Sequence, residues 1–426
     1  MRILSVADPA AEAARLRKAS AMPESLFADA MTIMKDVAEY GDKAVVDYTA
    51  KFDGVRPDSL LVSRQEIRQA YSHVTKEQIK AVRLMKERLA KSELVVISRL
   101  KGMAVLSDGV RIDRMIKPVA SVGCYIPGGK ARYPSTVVMC AVPARAAGVK
   151  RIVAISPPRK DGTIDPLTLV AADICGVDEF YRAGGAQGIG ALAYGTQSIK
   201  PVSKIVGPGG IFVTAAKLIA SDSVSTDMVA GPTELLVYAD AKADPRLVAV
   251  DLISQAEHST DTICGLVTTS RKLAAQLQKD VLFMVERVSR SDIVRSSLEK
   301  NGFIAVCKNE GACVDFVNEF APEHLEIMCS NAESIAKKVD SAGLVLIGQY
   351  APSSASDYSL GSNHVLPTLG FGKSRASLSV LDFVKIVNKV RVTKAGLAKI
   401  DQSVKEMASA EGLLNHYEAV RARADE

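Results

Sequence analysis

Apolar and polar positions change rhythm three times along this chain. Over residues 22–50, Ile33, Val37, Val45, Val46 and Tyr48 recur at helical spacing, which predicts mainly amphipathic helix with a break at Gly41-Asp42. A polar loop over 52–58 follows. Helical spacing then resumes over 64–99, with Lys and Glu on the solvent side. The first hundred residues therefore read as a helical segment packed on what comes next.

From about residue 110, short β-branched runs alternate with helical ones. Strands are expected at 119–126, 151–155, 179–181 and 204–206, and helices at 135–147, 166–175, 186–194 and 211–220. A second set begins near 230, with strands at 234–238, 263–267 and 303–306 and helices at 243–257 and 271–288. Strand and helix in alternation imply an α/β protein with parallel sheets, here two units in tandem. The last 45 or so residues read as helix rich in Lys and Arg, packed on their own chain or docked on a partner subunit. The expected organisation is a helical N-terminal segment over 1–109, α/β domains over 110–228 and 229–380, and a helical tail over 381–426.

Composition narrows the function classes. The 426 residues are 48% hydrophobic and 24% charged, as in an ordinary multidomain globular protein. Trp is absent, aromatics make up 5%, and the net charge of +6 is scattered among acidic residues. That combination offers neither a stacking platform nor a basic stripe for nucleic acid. The seven cysteines include no Cys-x-x-Cys and lie in apolar runs such as Val138-Met139-Cys140-Ala141. They read as buried, reduced thiols rather than zinc-ribbon or redox motifs. The first residues lack a signal peptide's apolar core, and no apolar run approaches the ~20 residues of a membrane span. A cytoplasmic protein without membrane contact is expected.

The densest acid/base pairing is Glu323-His324, within Ala321-Pro322-Glu323-His324-Leu325-Glu326-Ile327. Histidine titrates nearest neutrality and is the usual proton shuttle. The competing reading is a surface helix start, where Pro-Glu is common. Of the five histidines, His73 reads as a surface residue, whereas His258, His324, His364 and His416 lie in the second half near carboxylates, amides or turns. Gln255 and His258, three apart on an expected helix, share a face and suit one metal or one substrate, or else a polar helix end. Asp357 and His364 sit in a polar, turn-rich run of the kind that carries function, or makes an ordinary surface connection. Glu411 and His416 lie near a helix end. Together Gln255, His258, Asp357 and His416 are nitrogen and oxygen donors without a thiolate, a set that suits zinc or a similar divalent ion. Spacing alone does not bring these segments together.

Glycine turns at strand ends, Gly128-Gly129, Gly184-Gly185 and Gly207-Pro208-Gly209-Gly210, would let a phosphate approach a helix start. The formal dinucleotide fingerprint, Gly188 to Ala193, lies inside an expected helix. Its first following acid is Asp222, too far on to hold a ribose. No P-loop occurs.

Eight of these stretches stand in the order of one known family. They are Val122 to Gly129, Gly184 to Gln187, Gly207 to Gly209, Ala230 to Glu234, Gln255 to His258, Ala321 to Leu325, Gly361 to Thr368 and Glu411 to Leu413. On these motifs the chain resembles the histidinol dehydrogenases over nearly its whole length. The resemblance implies two Rossmann-like domains and an NAD-dependent, zinc-containing oxidation of L-histidinol to L-histidine through the aldehyde. It implies Gln255, His258, Asp357 and His416 as zinc ligands, His324 as base, and Glu323 as activator of the water in the second step. These four ligands and His324, with Thr233, His364 and Glu411, would line the substrate, while Tyr125, Gln187 and Gly210 occupy NAD positions. It further implies a homodimer in which Glu411 and His416 complete the partner's site. Gly210 stands where the family often has Asn, Thr233 where Ser is frequent, and Ser362 where Thr is frequent. A relative acting on another polar alcohol, such as a sulfonated diol, is the alternative.

Overall fold

Runs of Val, Ile and Leu framed by helices build two parallel sheets in the computed structural model, which describes residues 1–17, 24–100, 102–128, 132–228 and 231–424. Gly129, Ala230 and the start of the helix expected over 22–50 lie outside the described residues. The first sheet takes Ser121–Tyr125, Arg151–Ser156, Glu179–Arg182, Lys204–Val206 and Ser225–Thr226, arranged side by side as third, second, first, fourth and fifth. The second takes Glu234–Ala239, Ile263–Thr268, Phe303–Val306, His324–Met328 and Leu344–Ile347 in that same order. Helices cover these strands, which explains why they read as continuous apolar runs rather than alternating ones. In such an order the winding reverses between the first and fourth strands, and a crevice opens there at their carboxyl ends.

Residues 1–17 do not belong with a helical segment over 1–109. Arg2–Ser5 pairs in parallel with Phe303–Val306 and extends the second sheet, and the helix Pro9–Arg17 packs on the helix Glu310–Phe320. A four-residue edge strand is too short to carry a periodic signal. The break expected at Gly41 is present, with a φ of 58° between the helices Glu24–Tyr40 and Asp42–Asp53. The helix expected over 64–99 is instead two, Arg64–Ala70 and Lys76–Arg99. Two capping boxes, Ser63 with Glu66 and Thr75 with Gln78, each start a helix.

The tail over 381–426 is not wholly helical. Val384–Val392 is a strand, paired antiparallel with Val110–Pro118, which also pairs with Met103–Ser107. Its Val384, Ile386, Val390 and Val392 fall on one face at even positions, with Asn388 filling the gap, and Lys385, Lys389 and Arg391 fall on the other, the period of a strand. The helices Lys394–Ala410 and Leu414–Ala424 follow and pack on each other. This outer region leaves large apolar side chains in solvent, among them Leu106 at 73%, Leu414 at 62%, Met407 at 57% and Val390 at 56% exposure. All seven cysteines are free, and six are buried. No described helix is long and apolar enough to cross a membrane.

Candidate active site

The Pro-Glu-His motif does not begin a surface helix. The helix Glu310–Phe320 ends at Ala321, and His324 opens a buried strand between Glu234–Ala239 and Leu344–Ile347. Glu323 and His324 therefore sit at the amino-terminal edge of the second sheet, beside Thr233 and Glu234. Glu323 Oε2 accepts from Thr233 Oγ1 at 2.5 Å and from the Glu234 N–H at 2.7 Å. Oε1 has no hydrogen-bond partner among the described residues.

His324 is buried, and its ring is fixed by backbone. Nδ1 lies 3.1 Å from the Glu234 carbonyl and donates to it. In the neutral ring the lone pair is thereby on Nε2, a buried atom without a hydrogen-bond partner among the described residues, 3.9 Å from Asp357 Oδ1. Burial alone would lower the affinity of this ring for a proton. The carboxylates of Glu323, 3.5 Å from Nδ1, and of Asp357 outweigh it and push the pKa up to about 9. A ring meant to accept a proton near neutrality needs that negative field offset, and a cation at Asp357 would offset it.

Gln255 joins the same group from the helix Pro245–Ala256. Its Nε2 donates to Thr233 Oγ1 at 2.7 Å, so one chain of hydrogen bonds runs from Gln255 through Thr233 to Glu323. Gln255 Oε1 accepts only a long 3.4 Å bond from Ser353, which starts the short helix that Asp357 caps. His258 Nδ1 lies 3.1 Å from the Gln255 carbonyl, which leaves its Nε2 outward with a lone pair. Ring nitrogens oriented in this way by a carbonyl are typical of metal-binding histidines. His364 Nε2 is buried and has no hydrogen-bond partner among the described residues; it lies within the electrostatic reach of Asp357, His324 and Glu323, and burial lowers its pKa.

Gln255, His258 and Asp357 fit a divalent ion by donor type and by their free donor atoms. The expected set of four does not assemble within one chain. Glu411 and His416 are exposed on the C-terminal helices and bond to none of these residues. Among the described residues no three His, Cys, Asp or Glu converge on one point.

Tyr125, Gln187 and Gly210 lie elsewhere, at the carboxyl edge of the first sheet. Tyr125 ends the first strand, and its hydroxyl accepts from the Gly185 N–H at 3.2 Å, where the helix Gly185–Tyr194 begins. Gln187 Oε1 is buried without a hydrogen-bond partner among the described residues. Gly207, at φ 116°, packs so closely that a Cβ would stand 2.2 Å from the Tyr125 carbonyl. A Cβ on Gly210 would meet open space, so an Asn side chain would have room there. The formal fingerprint from Gly188 lies inside the helix, as expected. The loop from Asn363 to Arg375 spans the two units. Asn363 Nδ2 donates to the Met139 carbonyl at 2.8 Å, and Thr368 Oγ1 accepts from the Gly231 N–H at 2.6 Å.

Three groups that line or support these edges escaped the sequence reading. Glu326 follows His324 by two residues on the strand and faces the same way; its signal was that alternation. Burial pushes its pKa up to about 8 and that of neighbouring Asp251 up to about 6, so the pair holds a proton while Glu326 Oε1 accepts the Ser353 N–H at 2.6 Å. Arg17 and Glu234 form a buried ion pair beneath the Pro322 turn. Lys217 and Asp227 form another behind Gly207. Asp227 Oδ2 accepts the Gly207 N–H at 2.7 Å, and Lys217 Nζ donates to the Gly207 carbonyl at 3.0 Å. Asp227→Ala leaves Lys217 buried without its counter-ion. It should cost about 3–5 kcal/mol, seen as a lowered urea midpoint.

The sequence pattern of the histidinol dehydrogenases matches residues 16–424. The chain belongs to this family. It is 41% identical over 400 residues to the histidinol dehydrogenase of Methanocaldococcus jannaschii, covering 94% of this chain and 93% of that one. With that of Methanothermobacter thermautotrophicus it shares 42% identity over 395 residues, 92% of each. The crystal structure of histidinol dehydrogenase from Elizabethkingia anophelis superimposes with a TM-score of 0.94 at 36% identity, covering 100% of this chain and 98% of that one. Family membership gives the Glu323-His324 edge its place in an oxidoreductase frame.

Proposed function

We propose that this chain oxidises L-histidinol to L-histidine through L-histidinal, the closing steps of histidine biosynthesis, in a soluble cytoplasmic enzyme. The observation that carries the reading is the geometry of His324. Its Nδ1–H is committed to a backbone carbonyl, and its free Nε2 points toward Asp357 with Glu323 alongside. When bound, NAD accepts one hydride in each oxidation, and zinc holds and polarises the substrate.

In the first step His324 Nε2 takes the hydroxyl proton. In the second, Glu323 Oε1 takes a proton from water as it attacks the aldehyde, while Thr233 and the Glu234 N–H hold Oε2 still. Gln255, His258 and Asp357 would hold the zinc, with His416 of a second copy. Thr233, His364 and a second copy's Glu411 would contact substrate. Tyr125, Gln187 and Gly210 would border the NAD, at the switch point of a sheet we read as Rossmann-like. The apolar surface around Leu106, Val390, Met407 and Leu414 supports a homodimer, because monomers seldom leave such faces in water.

The test counts NADH formed per histidinol consumed by the zinc-loaded protein. Two NADH per histidinol, lost on chelation, is the expected result. No turnover by folded, zinc-bound protein would move the substrate to another polar alcohol. The two steps should also separate by mutation. Glu323→Gln should slow oxidation of added histidinal by about 10²–10³-fold, and oxidation of histidinol to the aldehyde by much less.

A further inference from the structure

We propose that Arg17 and Glu234 are a positioning pair that holds the turn from Ala321 to His324 and so aims both catalytic side chains. This rests on the roles given to Glu323 and His324 above. Glu234 is fully buried and meets that pair with both its main chain and its side chain. Its N–H donates to Glu323 Oε2 at 2.7 Å, and its carbonyl accepts from His324 Nδ1 at 3.1 Å. Its Oε2 accepts the Glu323 N–H at 3.2 Å, and its Oε1 accepts the Leu369 N–H at 2.9 Å.

Arg17 fixes that carboxylate in a two-pronged pair, with Nη2 2.8 Å from Oε2 and Nη1 on Oε1. The same guanidinium caps the helix Glu310–Phe320. Nε donates to the Phe320 carbonyl at 2.7 Å, Nη2 donates to the Ala321 carbonyl at 3.1 Å, and the group lies 3.7 Å over the Phe320 ring. The two turns it joins are both strained. Ala321 at φ 47° and Leu369 at φ 57° are non-glycine residues in left-handed conformation. Such backbone persists only where its surroundings enforce it. A buried ion pair gives little net stability over an apolar substitute. Here the bonds that leave the pair's side chains run to the backbone of Phe320, Ala321, Glu323 and Leu369, the segments that set the direction of Glu323, His324 and the Leu369 turn.

The test uses Arg17→Ala and Arg17→Lys in the full-length, zinc-loaded protein. Arg17→Ala should lower kcat by about 100-fold, the loss a misplacement of about 1 Å brings, with KM for histidinol little changed. Arg17→Lys should fall between that variant and the wild type. The second readout is the nitrogen NMR signal of the His324 ring, assigned by its absence in His324→Gln. In the wild type the neutral ring should carry its proton on Nδ1 alone, and in Arg17→Ala it should be a mixture of both forms. Wild-type kcat in Arg17→Ala overturns the proposal. So does lost turnover with an unchanged ring signal, which would mark Arg17 as merely structural. If Arg17→Ala does not fold, Arg17→Lys decides by the same ring signal. That signal needs no substrate, so a wild type inactive on histidinol would sink the substrate reading and leave this one decided on its own.

Discussion

His324→Asn in the zinc-loaded protein should lose about 10³-fold in kcat for histidinol, while zinc content and NAD affinity stay near wild type. The substitution removes the free Nε2 proposed to take the alcohol proton, and it keeps a donor for the Glu234 carbonyl at the root of the side chain. The ring's present environment makes the loss specific. With Nδ1 tied to backbone, no second tautomer can offer a lone pair from the other nitrogen. No other imidazole is placed to substitute. His364 is near, yet burial lowers its proton affinity. Progress curves should show the same fractional loss with NAD in large excess. A variant retaining more than a tenth of wild-type kcat would remove His324 from the role of base.

Much of this site was legible because its chemistry is local in sequence. Glu323 and His324 are neighbours, Gln255 and His258 lie three apart at a helix end that stops at Ala256, short of the expected shared face, and Asp357 and His364 lie in one polar loop. The glycine turns beside Tyr125 were also readable, since only a residue without Cβ could stand where Gly207 meets the Tyr125 carbonyl. The motif at Pro322 was ambiguous by itself. Pro-Glu-His suits a helix start as well as a strand start, and only pairing with Glu234–Ala239 decides between them. Arg17 was out of reach for a different reason. Its partners Glu234, Phe320 and Ala321 lie more than two hundred residues away, and an arginine at the end of a short polar helix looks like any solvated one. The strand Val384–Val392 carried a period of two interrupted at Val387-Asn388, and its Lys385, Lys389 and Arg391 matched the helical texture of the tail that follows.

The position of Glu411 and His416 leads to the second large effect. In one chain both are exposed and apart from Gln255, His258 and Asp357, and the four-donor set proposed above is one short without His416. If they act in a second copy's site, His416→Ala and His324→Ala disable different parts of each site, and a dimer carrying one of each chain keeps one site whole. That site would take its core from the His416→Ala chain and its tail from the His324→Ala chain. Refolding the two inactive variants together in equal amounts gives half mixed dimers, each half active. Activity should therefore rise from a background of about a thousandth to about a quarter of wild type, given a two-fold exchange of tails. Sites built within single chains would give no rise at all, since no mixture of the two variants then contains an intact site. The outcome depends only on which chain donates the tail, so it separates a shared site from a tail that folds back onto its own chain.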